Sequence, residues 1–384
     1  MQITEINVHL VKLPPRRDHN WASKMNTPIG HHAIVEVVTD EGIIGWGEAP
    51  AGLTWGGAHG RYFGESPETV REVIDNYLAP NLIGMDPTQI SVVHAKMDKV
   101  AKGNFYAKAA IDIACHDITG KALDVPVSTL LGGAHRDSIE VTHSLGIMDL
   151  EQCYTEAEAA AAEGALTFKC KTGLDAERDV TLVRELRRIL GPSIKIRVDA
   201  NEGYASVHEA VETTRRQEEH DILLCEQPVA GTVGLSRVAA RIESPVMADE
   251  SAWTVHDVLE LDQLDAAACI SLYVTKPGGL YRARQVGDVV QSVGMYCDIG
   301  GSIETGIGNA ANLHLGSATP AAILPSVCPV SQPEGSDGPD IAGVYYVDDL
   351  ITEPFRFEDG RVYTPTGPGL GIEVDREKLE KYAV

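Results

Sequence analysis

Six polar residues, Lys171, Asp199, Glu226, Asp249, Tyr273 and Asp298, each end a short β-forming run, at successive separations of 28, 27, 23, 24 and 25 residues. That interval is about one strand plus one helix. The β runs (140–144, 167–170, 195–199, 222–225, 246–248, 268–273 and 295–298) alternate with amphipathic stretches at 150–163, 176–190, 207–217 and 233–242. Repeated βα units dictate a parallel sheet, and seven or eight of them predict an α/β chain closed into a TIM-like barrel. Strand C-terminal ends share one mouth in such a barrel, so the six residues are expected to converge there.

The convergence has chemical consequences. Asp199, Glu226 and Asp249 on successive strands would repel one another without a cation among them. Hard oxygen donors without His or Cys favour Mg²⁺, with Mn²⁺ as a substitute, over zinc. The competing reading is that each acid only caps the next helix. Lys169 and Lys171 flank Cys170, and period-2 alternation turns both lysines to one side. Two adjacent ammonium groups are expected to depress each other's pKa, which makes a lysine usable as a general base. A metal, a lysine base and no nucleophile motif point to removal of a proton α to a carboxylate, with the metal stabilising the dianion. The Gly-rich run 300–306 reads as a strand-to-helix loop at the mouth, where Ser302 and Glu304 are expected to touch substrate.

The remainder of the chain frames the barrel. Residues 1–50 read as strands, with a hairpin turn at Asp40-Glu41-Gly42. Helical patterns follow at 67–78 and 106–123. This α+β unit is expected to span 1–133, the barrel 134–334, and a Gly-, Pro- and Asp-rich segment 335–384 to return to the first unit. Two aperiodic stretches, 14–30 and 50–64, read as long binding loops. They carry Trp21, Trp55, His59 and Tyr62.

Composition sets outer limits. Lys and Arg number 32 against 56 Asp and Glu, a net charge of −24. Nucleic acid and anionic membrane surfaces need clustered positive charge, so neither is an expected partner. The seven cysteines contain no CxxC and sit mostly in apolar runs, so buried thiols in a reducing compartment are expected. No basic, apolar leader pattern opens the sequence and no apolar run approaches about 18 residues, so the expected location is the cytoplasm.

Several local sequences together resemble the enolase superfamily and, within it, the muconate lactonizing enzyme subgroup. They are Thr167-Phe168-Lys169-Cys170-Lys171, Val198-Asp199-Ala200-Asn201, Cys225-Glu226-Gln227-Pro228, Ala248-Asp249-Glu250-Ser251, the run from Asn104 to Asp112, and Pro368-Gly369-Leu370-Gly371-Ile372. Glu304-Thr305-Gly306-Ile307-Gly308 is similar to the seventh-strand loop of N-succinylamino acid racemases. The resemblance implies a modified (β/α)7β barrel with a capping domain, Mg²⁺, a small carboxylate substrate and specificity set by the two N-terminal loops. It implies Asp199, Glu226 and Asp249 as metal ligands, Lys171 as base, and Lys169 as its orienting partner. Asn201, Lys276, Asp298 and Trp55 join Ser302 and Glu304 as expected substrate contacts. Barrels of this type usually associate, so a homo-oligomer is expected.

One departure bears on the reaction. Subgroup members usually carry a second catalytic lysine five residues before a Gly-Gly pair on the sixth strand. Here the pair is Gly278-Gly279 and that position is Tyr273. Lys276 lies nearer the glycines, but Pro277 interrupts a regular strand there, so Tyr273 is expected at the mouth. A tyrosine with an ordinary pKa of about 10 donates protons but is a poor base. A one-base isomerase or lyase, either a cycloisomerase or a dehydratase, is therefore the leading expectation. Racemisation of an amino-acid derivative is the alternative. A Schiff-base aldolase built on Lys169 or Lys171 and a catalytically impaired binding barrel rank lower.

Overall fold

The computed structural model describes residues 1–23, 25, 29–50, 52–53 and 64–384. Strands β1 (Ile3–Lys12), β2 (His31–Thr39) and β3 (Ile44–Pro50) form an antiparallel sheet in the order β1-β2-β3. The β2–β3 turn falls at Asp40–Gly42, where Gly42 adopts φ +77°. The helix Phe105–Leu123 lies on β3, and its residues Tyr106–Gly120 are all buried. Such a helix needs small residues opposite it. A Cβ on Gly47 would stand 1.9 Å from the Ala110 carbonyl oxygen, and one on Gly45 2.2 Å from that of Ala114.

β4 (Ser138–Glu140) leads into β5 (Thr142–Leu145), which opens a parallel sheet with β6 (Thr167–Lys171), β7 (Lys195–Asp199), β8 (Ile222–Glu226), β9 (Val246–Ala248), β10 (Cys269–Leu272) and β11 (Tyr296–Ile299). The spatial order follows the sequence from β5 to β11. Residues 322–327 then close the ring. Parallel bridges join Cys297 to Ala322 and Val141 to Ser326. Val327 N–H donates to the Ile299 carbonyl (3.0 Å) and Ser326 N–H to that of Glu140 (2.8 Å). The α/β barrel is thus as the residue spacing required. In this ring β6 and β10 stand on opposite sides, with β7–β9 between them one way and β5, residues 322–327 and β11 the other.

One carboxylate joins the barrel to the helix that lies on the first sheet. Asp112, on Phe105–Leu123, accepts from the backbone N–H of Leu280 (2.5 Å) and so caps the barrel helix Leu280–Ser292. His94 Nε2 (2.7 Å) and His116 Nδ1 (3.2 Å) flank it. Gly279 makes the approach feasible: its φ is +124°, and a Cβ there would lie 2.3 Å from Asp112 Cγ. Gly279→Ala is expected to lower stability by about 2–4 kcal/mol, combining a forbidden backbone with a lost cap, as measured by denaturant unfolding.

The C-terminal segment is distributed over several partners. β12 (Phe357–Glu358) and β13 (Arg361–Tyr363) form a small sheet with β4. Leu370 N–H donates to Asp117 on Phe105–Leu123 (2.9 Å). Residues 382–384 lie along β1, where Lys12 N–H donates to the Tyr382 carbonyl (2.8 Å) and Val384 N–H to that of Leu10 (3.1 Å). All seven cysteines are buried and unpaired. Among the described residues no helix is long and apolar enough to cross a membrane.

Candidate active site at the barrel mouth

The strand ends deliver a dense ionic cluster. Lys169 and Lys171 point to the same side of β6, as alternation requires. Lys169 Nζ lies 2.8 Å from Asp199 Oδ2 and 2.7 Å from Glu226 Oε1. Lys171 Nζ lies 2.6 Å from Asp199 Oδ2 and 2.8 Å from Asn201 Oδ1. Asn201 Nδ2 in turn donates to Glu250 (2.9 Å). Burial pulls Lys169 down, but the carboxylates of Asp199 and Glu226 outweigh it and hold the group above its ordinary pKa. Lys171 goes the other way: burial lowers it, Asp199 opposes, and the Lys169 ammonium adds to the fall. The expected mutual depression of the two lysines is therefore one-sided. Lys169 owns two carboxylates, whereas Lys171 shares one with its neighbour.

Across the ring, β10 ends at Leu272 and the chain turns, with Gly278 N–H donating to the Thr275 carbonyl (3.0 Å). This turn brings both Tyr273 and Lys276 to the site. Tyr273 lines the cavity and donates to Asp249 Oδ2 (3.3 Å). Lys276 is 1% exposed and packs 4.2 Å from the centre of the Tyr273 ring. Its ammonium donates to Asp249 Oδ1 (2.8 Å) and to the carbonyls of Asp249 (2.9 Å) and Ser271 (2.7 Å). Lys276 is thus drawn inward by a turn rather than by the strand slip that Pro277 opposes, and it supports Asp249 without lining the cavity. Burial, then the Asp249 charge, push the Tyr273 phenol well above its ordinary pKa, so it stays protonated.

Asp298 departs from expectation. It is the third residue of the four in β11, not a terminal one, and its carboxylate faces the barrel interior. Arg197, fully buried, bridges it (2.7 Å) to Glu226 Oε2 (2.6 Å) and donates to the Pro325 carbonyl (3.2 Å). Asp298 is therefore a structural ion-pair partner away from the cavity surface. Arg197 went unnoticed in the sequence, although alternation with Asp199 along β7 places it on the inner side.

Above the cluster is a cavity of about 230 Å³. Lys169, Lys171, Asn201, Tyr273 and Ser302 line it, as do His19, Trp21, His32, Tyr106, Ser144, Tyr345 and Tyr346. Lys171 Nζ stands 5.8 Å from the Trp21 ring centre. The hydroxyls of Tyr106 and Ser302 are 3.2 Å apart. Sequence reading did not single out His19, His32, Ser144, Tyr345 or Tyr346, which no motif joins, and it held Tyr106 only within the run from Asn104 to Asp112. Trp55, His59 and Tyr62 fall outside the described residues.

Glu304 does not line the cavity. It accepts the Ser302 N–H at 2.9 and 3.0 Å and so shapes the loop that presents Ser302 to the cavity. Ile303 beside it adopts φ +64°, a strained choice for a β-branched residue. The Tyr346 hydroxyl holds it there by donating to the Ile303 carbonyl (2.7 Å) while accepting from His32 Nε2 (2.8 Å). From β3, Glu48 accepts the N–H groups of Thr305 (2.9 Å) and Gly308 (2.7 Å) at the start of the helix Gly306–Ala318. Burial pushes both Glu48 and Glu304 up to about 7. Between an unfolded pKa of about 4.5 and 7 the native state holds these protons while the unfolded chain releases them, so stability falls as pH rises through that window. Glu304→Gln is expected to flatten part of this slope in guanidinium midpoints taken between pH 5 and 8. An unchanged slope would show that Glu304 is ionised throughout.

A parallel barrel with lysines and a tyrosine opposed across its mouth and a row of carboxylates on consecutive strand ends fits an enzyme of the enolase superfamily. The comparisons agree. Residues 8–132 match the N-terminal domain model of mandelate racemase / muconate lactonizing enzyme, and 152–378 match the enolase C-terminal domain-like model. The chain belongs to this family. It is 33% identical to muconate cycloisomerase 1 of Rhodococcus opacus over 100% of its length and 98% of that protein's. It is 32% identical to the N-succinyl-L-Arg/Lys racemase of Bacillus cereus, again over 100% of the chain and 98% of the relative. The crystal structure of the Rhodococcus opacus 2-chloromuconate cycloisomerase superposes with a TM-score of 0.89 at 32% identity, covering 100% of both chains.

Members of this family imply a divalent metal. Among the described residues no three His, Cys, Asp or Glu side chains cluster as a ready metal cage. The repulsion that spacing assigned to a metal alone is met here by ammonium and guanidinium groups on Asp199, Glu226 and Asp249. The donor chemistry nonetheless fits a hard divalent cation: three carboxylates on adjacent strand ends, no His or Cys, and an unpartnered buried oxygen, Glu250 Oε2, beside Asp249.

Proposed function

We propose that this enzyme moves the α-proton of a small carboxylate substrate on one face only, with Lys171 as the base and Tyr273 as a proton donor on the other. The observation that carries this reading is the asymmetry across the ring. On β6, Lys171 shares Asp199 with the Lys169 ammonium, and burial together with that ammonium lowers the Lys171 pKa. Beyond β10 the Tyr273 phenol lies against the Asp249 carboxylate, and burial together with that charge raises the Tyr273 pKa. A phenol that stays protonated cannot remove a proton, but it can deliver one or hold a developing negative charge. Lys169, held charged by two carboxylates, would orient the substrate carboxylate and is a poor Schiff-base nucleophile. Asp199, Glu226 and Asp249 would hold Mg²⁺ or Mn²⁺, which when bound supplies charge stabilisation to the enolate.

One-base chemistry suits cycloisomerisation, the activity in the name of the Rhodococcus opacus relative, or elimination of a β-substituent. Racemisation is the second reading, favoured by the Bacillus cereus relative. We further take residues 1–133 and the end of the chain as the cap over the barrel. The test is α-proton exchange in deuterated water, followed by NMR, with muconates, N-succinyl amino acids and acid sugars. Exchange confined to one enantiomer, or coupled to ring closure or elimination, is expected. Equal exchange from both enantiomers of one amino-acid derivative would sink the one-base assignment.

A further inference from the structure

The wall of the cavity beside Lys171 contains a hydrogen-bond chain that the proton-transfer reading does not use. Arg17 forms a two-pronged pair with Glu156 of the barrel helix Leu150–Ala162, with Nε 2.6 Å from Oε2 and a terminal nitrogen 2.8 Å from Oε1. His143 Nε2 also meets Glu156 (3.1 Å). The remaining Arg17 nitrogen lies 2.9 Å from His19 Nδ1. A guanidinium has no acceptor, so His19 Nδ1 must accept. The proton of the neutral ring then sits on Nε2, 3.3 Å from Ser144 Oγ. Ser144 pairs with Lys169 in strand register and lines the cavity, where Tyr345, edge-on to the His19 ring, brings its hydroxyl within hydrogen-bond reach of Ser144.

We propose that Arg17 is a positioning residue that fixes His19 as the neutral Nε2–H tautomer, so that Ser144 receives a hydrogen bond from His19 and turns its own hydroxyl proton toward an oxygen acceptor of the substrate. Direction is the substance of the inference. Donation runs from Arg17, which never loses its proton, to His19 and from His19 to Ser144, whose own hydroxyl proton is left for the cavity side, where the Tyr345 hydroxyl also lies. Among the described residues, the charged and titratable groups that act on His19 include Arg17, Lys171, Glu156 and His143, with Tyr345 edge-on to its ring. Burial and the two nearest cations hold the imidazole well below its ordinary pKa, so it stays neutral.

The substrate-facing half rests on the cavity being the site of proton transfer. The tautomer half does not, and the two are measured separately. Long-range proton–nitrogen NMR of the substrate-free full chain, with His19 assigned by His19→Gln, is expected to show a neutral Nε2–H ring from pH 5.5 to 8.5. Arg17→Met should give mixed tautomers or a protonated ring, and Arg17→Lys, which keeps a donor, should restore the wild-type pattern. An Nδ1–H or charged ring in the wild type, or an unchanged ring in Arg17→Met, overturns the assignment. If Arg17→Met does not fold, the wild-type and Arg17→Lys spectra decide it.

With muconate as the probe, calorimetry is expected to show at least tenfold weaker binding by Ser144→Ala and Arg17→Met. Muconate binding that is absent in the wild type or equal in the variants overturns the substrate-facing half. Correct tautomers with no α-proton exchange by any substrate would instead count against the proton-transfer reading.

Discussion

Lys171→Ala is expected to abolish α-proton exchange, with a loss of 10³-fold or more, while leaving the protein folded. General-base catalysis contributes about 10²–10⁴-fold, and Lys171 is the proposed base on its face of the cavity. Lys169 stands beside it, but two carboxylates hold that ammonium charged. Lys171→Arg should be nearly as inactive, because a guanidinium keeps its proton. Dialysis against EDTA is expected to give a comparable loss, reversed by Mg²⁺. Circular dichroism and a thermal melt separate a catalytic loss from unfolding. Residual exchange above about a tenth of wild type in Lys171→Ala would move the base elsewhere.

The second large effect concerns stability. Arg197→Met should destabilise the barrel by about 3–5 kcal/mol in guanidinium unfolding, the range for breaking a buried ion pair by removing one partner. Arg197 is 0% exposed and is the shared partner of Glu226 and Asp298, so its loss strands the buried Asp298 carboxylate and leaves Glu226 with Lys169 alone. Adding Asp298→Asn to that variant should recover part of the loss by removing one stranded charge. A double variant no more stable than the single one would mean that Asp298 takes up a proton unaided. Because Glu226 is also a proposed metal ligand, Arg197→Met should weaken Mg²⁺ binding as well.

The barrel and the order of its mouth residues were legible because strand-end polar groups recur at a physical interval, one βα unit. Lys169, Lys171, Asp199, Glu226 and Asp249 fall where alternation and spacing put them. Asp298 misled because a polar residue also ends an apolar run when it points into a buried ion pair. Its partner Arg197 was readable from the same alternation and was obscured by the rarity of a fully buried arginine. Tyr273 and Lys276 presented themselves as alternatives for one position. A turn, which has no period, brings both inward, one to the cavity and one beneath it. The cavity wall was the least legible part. His19, His32, Tyr345 and Tyr346 meet only through long-range folding, and no local pattern ties residue 19 to residue 345.

The pairing of residues 382–384 with β1 has a consequence for synthesis. A chain made in order finishes the first sheet's three strands early but lacks the segment that pairs with the Leu10–Lys12 end of β1 until the whole barrel has been translated. At about 5–20 residues per second, that leaves the edge open for roughly 10–50 s after residue 133 appears. An uncovered strand edge is a template for pairing with other chains. The end of β1 therefore stays open to pairing with other chains while the barrel is being made, and shortening the chain by its last few residues would make that transient exposure permanent.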